Sequence, residues 1–358
     1  MRILILGDKF ASSARRTALA QLLVQLDERR IQAAIAALRA QTDDLVDTTL
    51  SAQRAVSFGA VRRLISLLRT LQVELLHVVE QSAAFVGILA ARYTGTPVSI
   101  VCERVPLRSE LPRWTYPFRK MRWQLIAQLV QRILVPSELL RRDLSAFAEI
   151  QPERISVVYP MYAFQAAESV DRAALGLAQG RNVALIVPEN YDEGYLQAVD
   201  VLERLRKRGI EANLVVIGEG ATLQALRRET AGLALPIRWF PDRSALPELL
   251  AACDVVLDCT AREALPEGLI AAMLAGKPIV APRQTGITEV LEPNVAALIV
   301  TPADVSDMAL QVSRVLQYDT LAERLAQAAR KRALERFTPE AHARAMTEFF
   351  ETTIYSTR

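Results

Sequence analysis

The residues best suited to chemistry in this chain are two carboxylates, Glu263 and Glu267, four positions apart, with a Pro-Glu-Gly turn at the second of them. The turn leads into the small apolar run Leu269–Leu274, which is typical of a buried helix. Backbone N–H groups at the start of a helix bind phosphate or sugar oxygens, and a carboxylate one turn earlier accepts hydrogen bonds from sugar hydroxyls. Gly268 lets a ligand approach the backbone closely. The segment therefore predicts a sugar or phosphate site; the alternative is a solvated loop carboxylate followed by an ordinary helix charge.

The composition excludes several other chemistries. The chain has 358 residues and a net charge of +3, from 43 basic and 40 acidic residues. That excess is too small to make nucleic acid an expected partner. The two histidines, His77 and His342, give little material for a metal site or a histidine-centred triad, and we expect no metal ligands. Three cysteines without metal spacing favour a reduced, cytoplasmic setting, and the uncharged stretch Gln81–Ala91 is too short to span a bilayer.

Short apolar runs alternate with long helical stretches along the whole chain. These elements must position the candidate residues. Runs buried on both faces predict parallel strands, and the alternation predicts doubly wound α/β domains. The predicted strands of the first half are Arg2–Leu6, Ile31–Ala37, Leu75–Val79, Val98–Cys102, Ile133–Val135 and Ile155–Tyr159. Those of the second half are Asn182–Val187, Ala212–Ile217, Ile237–Phe240, Val255–Leu257, Pro278–Ala281 and Ala297–Val300.

The strand rhythm is interrupted once, after residue 162, by a stretch rich in Ala, Gln and Gly. We therefore expect a first domain over residues 1–162, a linker over 163–181 and a second domain over 182–337. Ligands of such sheets bind beyond the carboxyl ends of the strands, and two such domains favour a site in the cleft between them.

The segment Cys259–Ala281 resembles the donor-binding segment of family 4 (group 1) glycosyltransferases, which have the two-domain GT-B fold. It contains Glu263, the small-residue helix and Gly-Lys-Pro278 in the order typical of that family. Further resemblances follow in order, including Val-Val-Ile-Gly218-Glu-Gly220 and the Gly-rich turn at Thr285–Glu289. The resemblance implies two Rossmann-like domains with parallel sheets facing an interdomain cleft, and a last helix, about 338–358, that crosses back to the first domain.

The resemblance also implies a function. A sugar would pass, with retention, from a nucleotide-sugar, most simply a UDP- or GDP-sugar, to a glycan, lipid or small-molecule acceptor, without a tightly bound cofactor. Glu263 would hold the sugar, and Glu103 occupies the place of a histidine that often follows the fourth strand of these enzymes; these two are the expected catalytic residues. The expected donor-binding residues are Glu263, Glu267, Gly268, Leu269, Gly218, Phe240, Arg283 and Gly286.

Several positions depart from the family pattern. Ala271 replaces a glutamate that binds the ribose, so about 1–3 kcal/mol of hydrogen bonding is absent unless replaced. Aligned on Gly194, the arginine and lysine that neutralise the diphosphate correspond to Pro188 and Glu193, and the same stretch adds Glu189 and Asp192. Like charges there oppose a diphosphate. These residues favour the alternative, a catalytically inactive homologue that acts as a protein partner subunit or a sugar-binding module.

A basic, aromatic segment over residues 104–123 has the composition of a surface that contacts an anionic membrane. The alternative is a packed helix whose aromatic residues are core and whose arginines extend to solvent. Ser12, Ser13 and Arg16 bind an acidic group or simply cap a helix. We expect a cytoplasmic protein that associates with the inner face of the membrane. The expected acceptor or membrane surface comprises Ser12, Ser13, Arg16, Arg104, Arg119, Lys120 and Trp123.

Overall fold

The computed structural model describes residues 1–8, 13–28, 31–39, 46–50, 57–105, 115–167, 170–177, 180–261 and 265–356. The chain divides into two compact units, one formed by Met1–Met161 with Pro339–Arg358 and the other by Tyr162–Thr338. Each unit contains one parallel β-sheet with helices packed against it. The prediction of two Rossmann-like α/β domains is confirmed.

The first unit contains a seven-stranded parallel sheet with the order β3-β2-β1-β4-β5-β6-β7. The order reverses direction beside β1, which is the arrangement of a doubly wound sheet. Its strands are β1 (Arg2–Gly7), β2 (Gln32–Ala37), β3 (Thr48–Thr49), β4 (Leu75–Val78), β5 (Val98–Val101), β6 (Arg132–Val135) and β7 (Ile155–Val157).

In the described ranges six helices cover the two faces of this sheet, and each face has its own apolar core. Four of them, α2 to α5, contribute to one core, and the first and last helices contribute to the other. The helices are α1 (Ser13–Glu28), α2 (Phe58–Thr70), α3 (Ala84–Thr94), α4 (Tyr116–Leu129), α5 (Glu138–Ala148) and the C-terminal α13 (Pro339–Tyr355).

The second unit contains a six-stranded parallel sheet with the order β10-β9-β8-β11-β12-β13. Its strands are β8 (Arg181–Ile186), β9 (Ala212–Ile217), β10 (Ile237–Phe240), β11 (Val255–Leu257), β12 (Ile279–Pro282) and β13 (Leu298–Val300). Its helices are α6 (Gln197–Lys207), α7 (Ala221–Glu229), α8 (Leu246–Ala252), α9 (Glu267–Leu274), α10 (Thr285–Val290), α11 (Val305–Gln317) and α12 (Asp319–Arg336).

All twelve predicted strands are present, because short apolar runs of this kind are typical of parallel strands with helices on both faces of the sheet. The strand Thr48–Thr49 was not predicted: it is two residues long and polar, so it carries no apolar signal. The described residues between Tyr162 and β8 form no strand, and they pack on the second unit. Leu177 is fully buried, and the Arg172 guanidinium lies 3.0 Å from the Asp254 carboxylate.

His77 lies in the core of the first unit rather than at a site. Its Nδ1 is 2.8 Å from the Ser99 hydroxyl, and its ring contacts the rings of Phe349 and Phe350 edge-on. Burial lowers the pKa of His77 to about 3, with a smaller contribution from His342. The imidazole is therefore neutral at physiological pH and serves the packing of β4 against α13.

Candidate functional site

A pocket of about 460 Å³ opens at the carboxyl ends of β8 and β11, beside the start of α9. Its walls come from the loop that follows β8, the loop that follows β11 and the first turn of α9, and Arg243 reaches it from the loop after β10. In a parallel sheet this edge is where ligands bind. The sequence-predicted residues Glu267, Gly268 and Leu269 all line the pocket.

The start of α9 presents backbone N–H groups to this pocket. The helix begins at Glu267, and Pro266, at its N-cap, makes no side-chain cap hydrogen bond. The first N–H groups of a helix have no partner within the helix, so they are donors for an anion. A Cβ on Gly268 would lie 3.0 Å from the Ile186 side chain, which explains why a residue without a side chain lets α9 approach the end of β8.

The structure describes some of the predicted residues of this segment and not others. Glu267 is exposed, and Leu269 and Ala271 are buried within α9. Glu263, with Arg262 and Ala264, lies outside the described residues. The structure therefore describes the two ends of the loop that carries Glu263, and its first end is held by Asp192.

Asp192 joins the loop after β8 to the loop after β11. Its carboxylate accepts hydrogen bonds from the Thr260 hydroxyl at 2.7 Å, the Ala261 amide at 3.2 Å and the Gly194 amide at 3.0 Å. The side chain is buried and its oxygens are occupied by these donors. Asp192 thus lies at the pocket, as the sequence predicts, and it also fixes the residues that lead into Glu263.

The other two carboxylates of the predicted acidic stretch differ from Asp192. Glu189 and Glu193 are exposed. Glu189 lines the pocket together with Pro188, and Glu193 begins a short 3-10 turn capped by Asp192. Solvent exposure weakens the electrostatic effect of these two carboxylates on a bound anion.

Asp258 lies beneath the pocket, directly after β11, and is buried. It accepts a hydrogen bond from the Thr260 amide at 2.7 Å and one from the Tyr195 hydroxyl. Burial raises the pKa of Asp258 to about 6, against the opposing effect of these hydrogen bonds. Burial likewise raises the pKa of Tyr195 well above its ordinary value, so its hydroxyl stays protonated and donates to Asp258.

The raised pKa of Asp258 predicts a pH dependence of stability. The native state keeps a proton on Asp258 between the ordinary pKa of 3.8 and about 6, whereas the unfolded chain has released it. Raising the pH therefore costs wild-type stability, by about 1 kcal/mol between roughly pH 5 and pH 8. Asp258→Asn removes this cost, so its unfolding free energy rises relative to wild type as the pH increases. Denaturant unfolding of both proteins at the two pH values measures the difference, and equal pH slopes would contradict the assignment.

Arg243 is a site residue that the sequence analysis missed. It is exposed, lines the pocket, and its Nη2 donates to the Val187 carbonyl at the end of β8. Among the described residues that line the pocket it is the cationic one. It is also the basic residue of the turn between β10 and α8, but its sequence context is ordinary, because only the fold brings this turn to the end of β8.

The remaining predicted donor-binding residues lie at the same sheet edge. Gly218 follows β9 with φ 130°, and a Cβ there would be 2.6 Å from the Val187 carbonyl oxygen. Phe240 ends β10, and its carbonyl accepts from the Gly218 amide at 3.0 Å. Arg283 is exposed just after β12, and Gly286 is buried in α10. None of these four is among the described residues that line the pocket.

In the first unit, the predicted residues Glu103 and Arg104 follow β5 at its carboxyl end and are exposed. Nearby, the Asp8 amide donates to the Glu80 carboxylate at 2.6 Å, and the Asp8 carboxylate pairs with Arg39 at 2.9 Å. This edge therefore carries charged side chains of both signs.

The predicted residues of the first helix are only partly described. Arg16 is half-buried on α1. Ser13 is the first residue of α1, but its side chain, like all of Ser12, lies outside the described part of the chain.

The basic, aromatic segment is described from residue 115 onward and at 104–105; residues 106–114 lie outside the described ranges. Arg119 is exposed on α4, and Lys120 pairs with Glu149 at 2.6 Å. The prediction that Trp123 belongs to a surface is wrong: only 4% of it is exposed, because it fills the core between α4 and the sheet.

Neither a metal centre nor a membrane span is found where the structure can be described. No group of three His, Cys, Asp or Glu side chains in the described ranges converges as a metal site requires. Each described helix is too short or too polar to cross a bilayer.

Two family models match this chain, one for each unit. The model "Glycosyl transferases group 1" matches residues 168–332, and the model "Glycosyltransferase Family 4" matches residues 17–162. Together they cover the second sheet, the pocket and every strand of the first sheet except β1. The chain belongs to the group 1, family 4 glycosyltransferases.

Curated relatives of this glycosyltransferase support the assignment. It is 26% identical to the 2-deoxystreptamine glucosyltransferase of Streptomyces kanamyceticus over 254 residues, 65% of each protein. A GDP-mannose-dependent phosphatidylinositol dimannoside mannosyltransferase of Mycobacterium tuberculosis is 32% identical over 96 residues, 26% of this chain and 25% of the relative. The matches thus span less than two thirds of these relatives.

The fold of this glycosyltransferase is also that of a known structure. The Anabaena protein HepE in complex with UDP aligns with a TM-score of 0.79 and 17% identity, over 98% of this chain and 100% of that one. The predicted GT-B fold is confirmed.

Proposed function

We propose that the chain transfers a sugar from a nucleoside diphosphate sugar, bound by the second unit, to an acceptor. The observation that carries the proposal is the pocket at the ends of β8 and β11, into which the start of α9 presents backbone donors. It lies within the region that the group 1 model matches. Sugar hydroxyls and phosphate oxygens are the groups such a site binds.

UDP- and GDP-sugars are the proposed donors. The Anabaena neighbour holds UDP, and the mycobacterial relative is GDP-mannose-dependent. The acceptor is proposed as a glycan, a lipid or a small molecule. Transfer with retention is part of the proposal through the family resemblance, as is a cytoplasmic setting, to which the three free, buried cysteines add support.

Five residues at the pocket or in the loops that form it have proposed roles in this reaction. Glu263 holds the sugar, and Asp192 positions the loop that carries it. The amides of Glu267 and Gly268 bind sugar or phosphate oxygens, and Arg243 takes over the neutralisation of the diphosphate for which Pro188 and Glu193 are unsuited. Electrostatic stabilisation of the charge that develops on the leaving phosphate is usually the largest contribution to the rate of such a transfer.

One observation favours a second candidate, an inactive homologue that serves as a partner subunit or sugar-binding module. Four carboxylates line the pocket against one described cation, Arg243. Two of them, Asp192 and Asp258, are engaged in hydrogen bonds within the protein, which leaves Glu189 and Glu267 to oppose an anionic ligand. The two candidates differ in one property: the enzyme binds a nucleoside diphosphate, and the partner subunit does not.

Thermal shift against UDP, GDP, ADP, TDP and CMP and their sugar conjugates, with and without magnesium, tests the proposal. A ligand at about 100 times its Kd adds about 2.7 kcal/mol of stability, a shift of a few degrees. We expect a nucleoside diphosphate and its sugar conjugate to raise the midpoint of wild type, and Glu263→Ala to lose the additional shift that the sugar conjugate produces. Absence of any shift from well-folded protein would reject the enzyme and favour the inactive homologue.

A further inference from the structure

Helices α3 and α4 expose an apolar face that the proposed donor site does not use. On α3 the exposed large side chains recur every four residues, and on α4 they recur at intervals of three and four, so each set forms one stripe along its helix. Phe85 is 54% and Phe118 63% exposed. We call this surface the α3–α4 face; its apolar residues are Phe85, Leu89, Tyr93, Phe118, Met121, Leu125 and Leu129.

The two helices that carry the stripes are neighbours on one face of the first unit. Helix α3 connects β4 to β5 and α4 connects β5 to β6, three consecutive strands of the sheet, and both helices pack into the same core. The Arg122 guanidinium on α4 donates to the Gln81 carbonyl, just before α3, at 2.9 Å. At about 1.5 Å per residue the stripes extend over about 12 and 16 Å. Exposed apolar side chains grouped in this way on neighbouring helices are typical of a contact with a partner or a membrane.

The charge of the α3–α4 face indicates which kind of partner it binds. Neither helix contains an aspartate or a glutamate, while Arg92, Arg119 and Arg122 are exposed. A pocket of about 500 Å³ at the C-terminal ends of both helices adds Arg154, and its described lining contains no acidic residue. The face is therefore apolar along its length and positive at its margins.

We propose that the α3–α4 face docks on an anionic lipid bilayer. Exposed Phe, Leu and Met side chains enter the boundary of the acyl chains, while the arginines reach the headgroups. A second copy of this chain fits less well, since a two-fold contact would set these arginines against each other. The surface differs from the segment 104–123 that the sequence suggested: it excludes the buried Trp123 and adds the outer side of α3.

Co-sedimentation with vesicles tests this proposal independently of nucleotide binding. We use the full chain with phosphatidylcholine vesicles, pure or containing about one third phosphatidylglycerol, at physiological salt. The apolar variant is Phe118→Ser with Leu125→Ser, and the charge variant is Arg92→Glu with Arg119→Glu. We expect wild type to bind the anionic vesicles at least about tenfold more tightly than the neutral ones, and each variant to lose at least about tenfold of that affinity.

A matched control carries Val24→Ser with Tyr355→Ser. These residues are equally exposed but belong to α1 and α13, on the helices that cover the other sheet face. The control must bind the vesicles as wild type does. Absence of binding to anionic vesicles by folded wild type, equal loss in the control, or a dimer in light scattering that the apolar variant disrupts would overturn the proposal. The charge variant keeps the test valid if the apolar variant does not fold.

Discussion

Gly194→Ala will strongly reduce the proposed transfer activity and strongly destabilise the second unit. An added Cβ would lie 2.1 Å from the Cys259 carbonyl oxygen and 2.7 Å from the Ala261 amide nitrogen. Both are backbone atoms, so the two loops must separate, and the bonds from Asp192 to Thr260 and Ala261 break. Overpacking and the lost hydrogen bonds together cost about 4 kcal/mol. Because the displaced loop leads into Glu263, we expect turnover to fall at least about 100-fold.

The control for this substitution is Gly232→Ala. Gly232 lies in the same unit with φ 84°, and an added Cβ there would meet nothing within 4 Å. It therefore carries only the backbone cost of the left-handed conformation, about 1–2 kcal/mol. Thermal unfolding and donor turnover are measured for both variants. Gly194→Ala with the stability and activity of Gly232→Ala would show that the contact between the two loops does not hold the site.

Arg243→Ala will weaken the binding of a nucleoside diphosphate sugar about 100-fold. Hydrogen bonds to charged groups contribute about 1.5–3 kcal/mol, and a hundredfold change in Kd corresponds to about 2.7 kcal/mol. Arg243 is the described cation of the pocket, and its anchor on the Val187 carbonyl holds the guanidinium at the end of β8. Arg243→Lys keeps the charge but loses the planar guanidinium with its several N–H donors. We therefore expect a Kd between those of wild type and Arg243→Ala.

Arg238→Ala is the matched control for Arg243→Ala. Arg238 is also exposed and belongs to β10, and its Nε donates to the Gly176 carbonyl, away from the pocket. Calorimetric titration with the donor found in the nucleotide panel should give the wild-type Kd for this control. An unchanged Kd in Arg243→Ala, with a lowered thermal midpoint, would limit Arg243 to holding the end of β8.

Much of the fold could be predicted because its signals are local. An apolar run such as Ala212–Ile217 has few alternatives to a buried parallel strand, and the structure places β9 at those residues. The start of α9 could be predicted from Pro266, Glu267 and Gly268, since turn and helix-start residues act over one turn of chain. The short polar strand Thr48–Thr49 carries no such signal.

The parts of the site that could not be predicted depend on contacts between distant segments. The structural role of Asp192 could not be predicted, because its partners Thr260 and Ala261 are 68 and 69 positions away in the sequence. Trp123 was interpreted as a surface residue from its basic neighbours, whereas helical periodicity directs it into the core. Arg243 has an ordinary sequence context, and only the fold brings it to the end of β8.

The central claim is that the second unit binds a nucleotide-sugar and releases its sugar, and the release of nucleoside diphosphate from the bound donor tests it most directly. We would follow that release by wild type, Glu263→Gln and Arg238→Ala with the donor found in the panel, first without an acceptor. We expect slow release by wild type and by Arg238→Ala, with water taking the sugar, and release at least about 100-fold slower by Glu263→Gln. Tight donor binding with no release by folded wild type, with or without candidate acceptors, would contradict it and identify a sugar-nucleotide-binding protein that does not catalyse transfer.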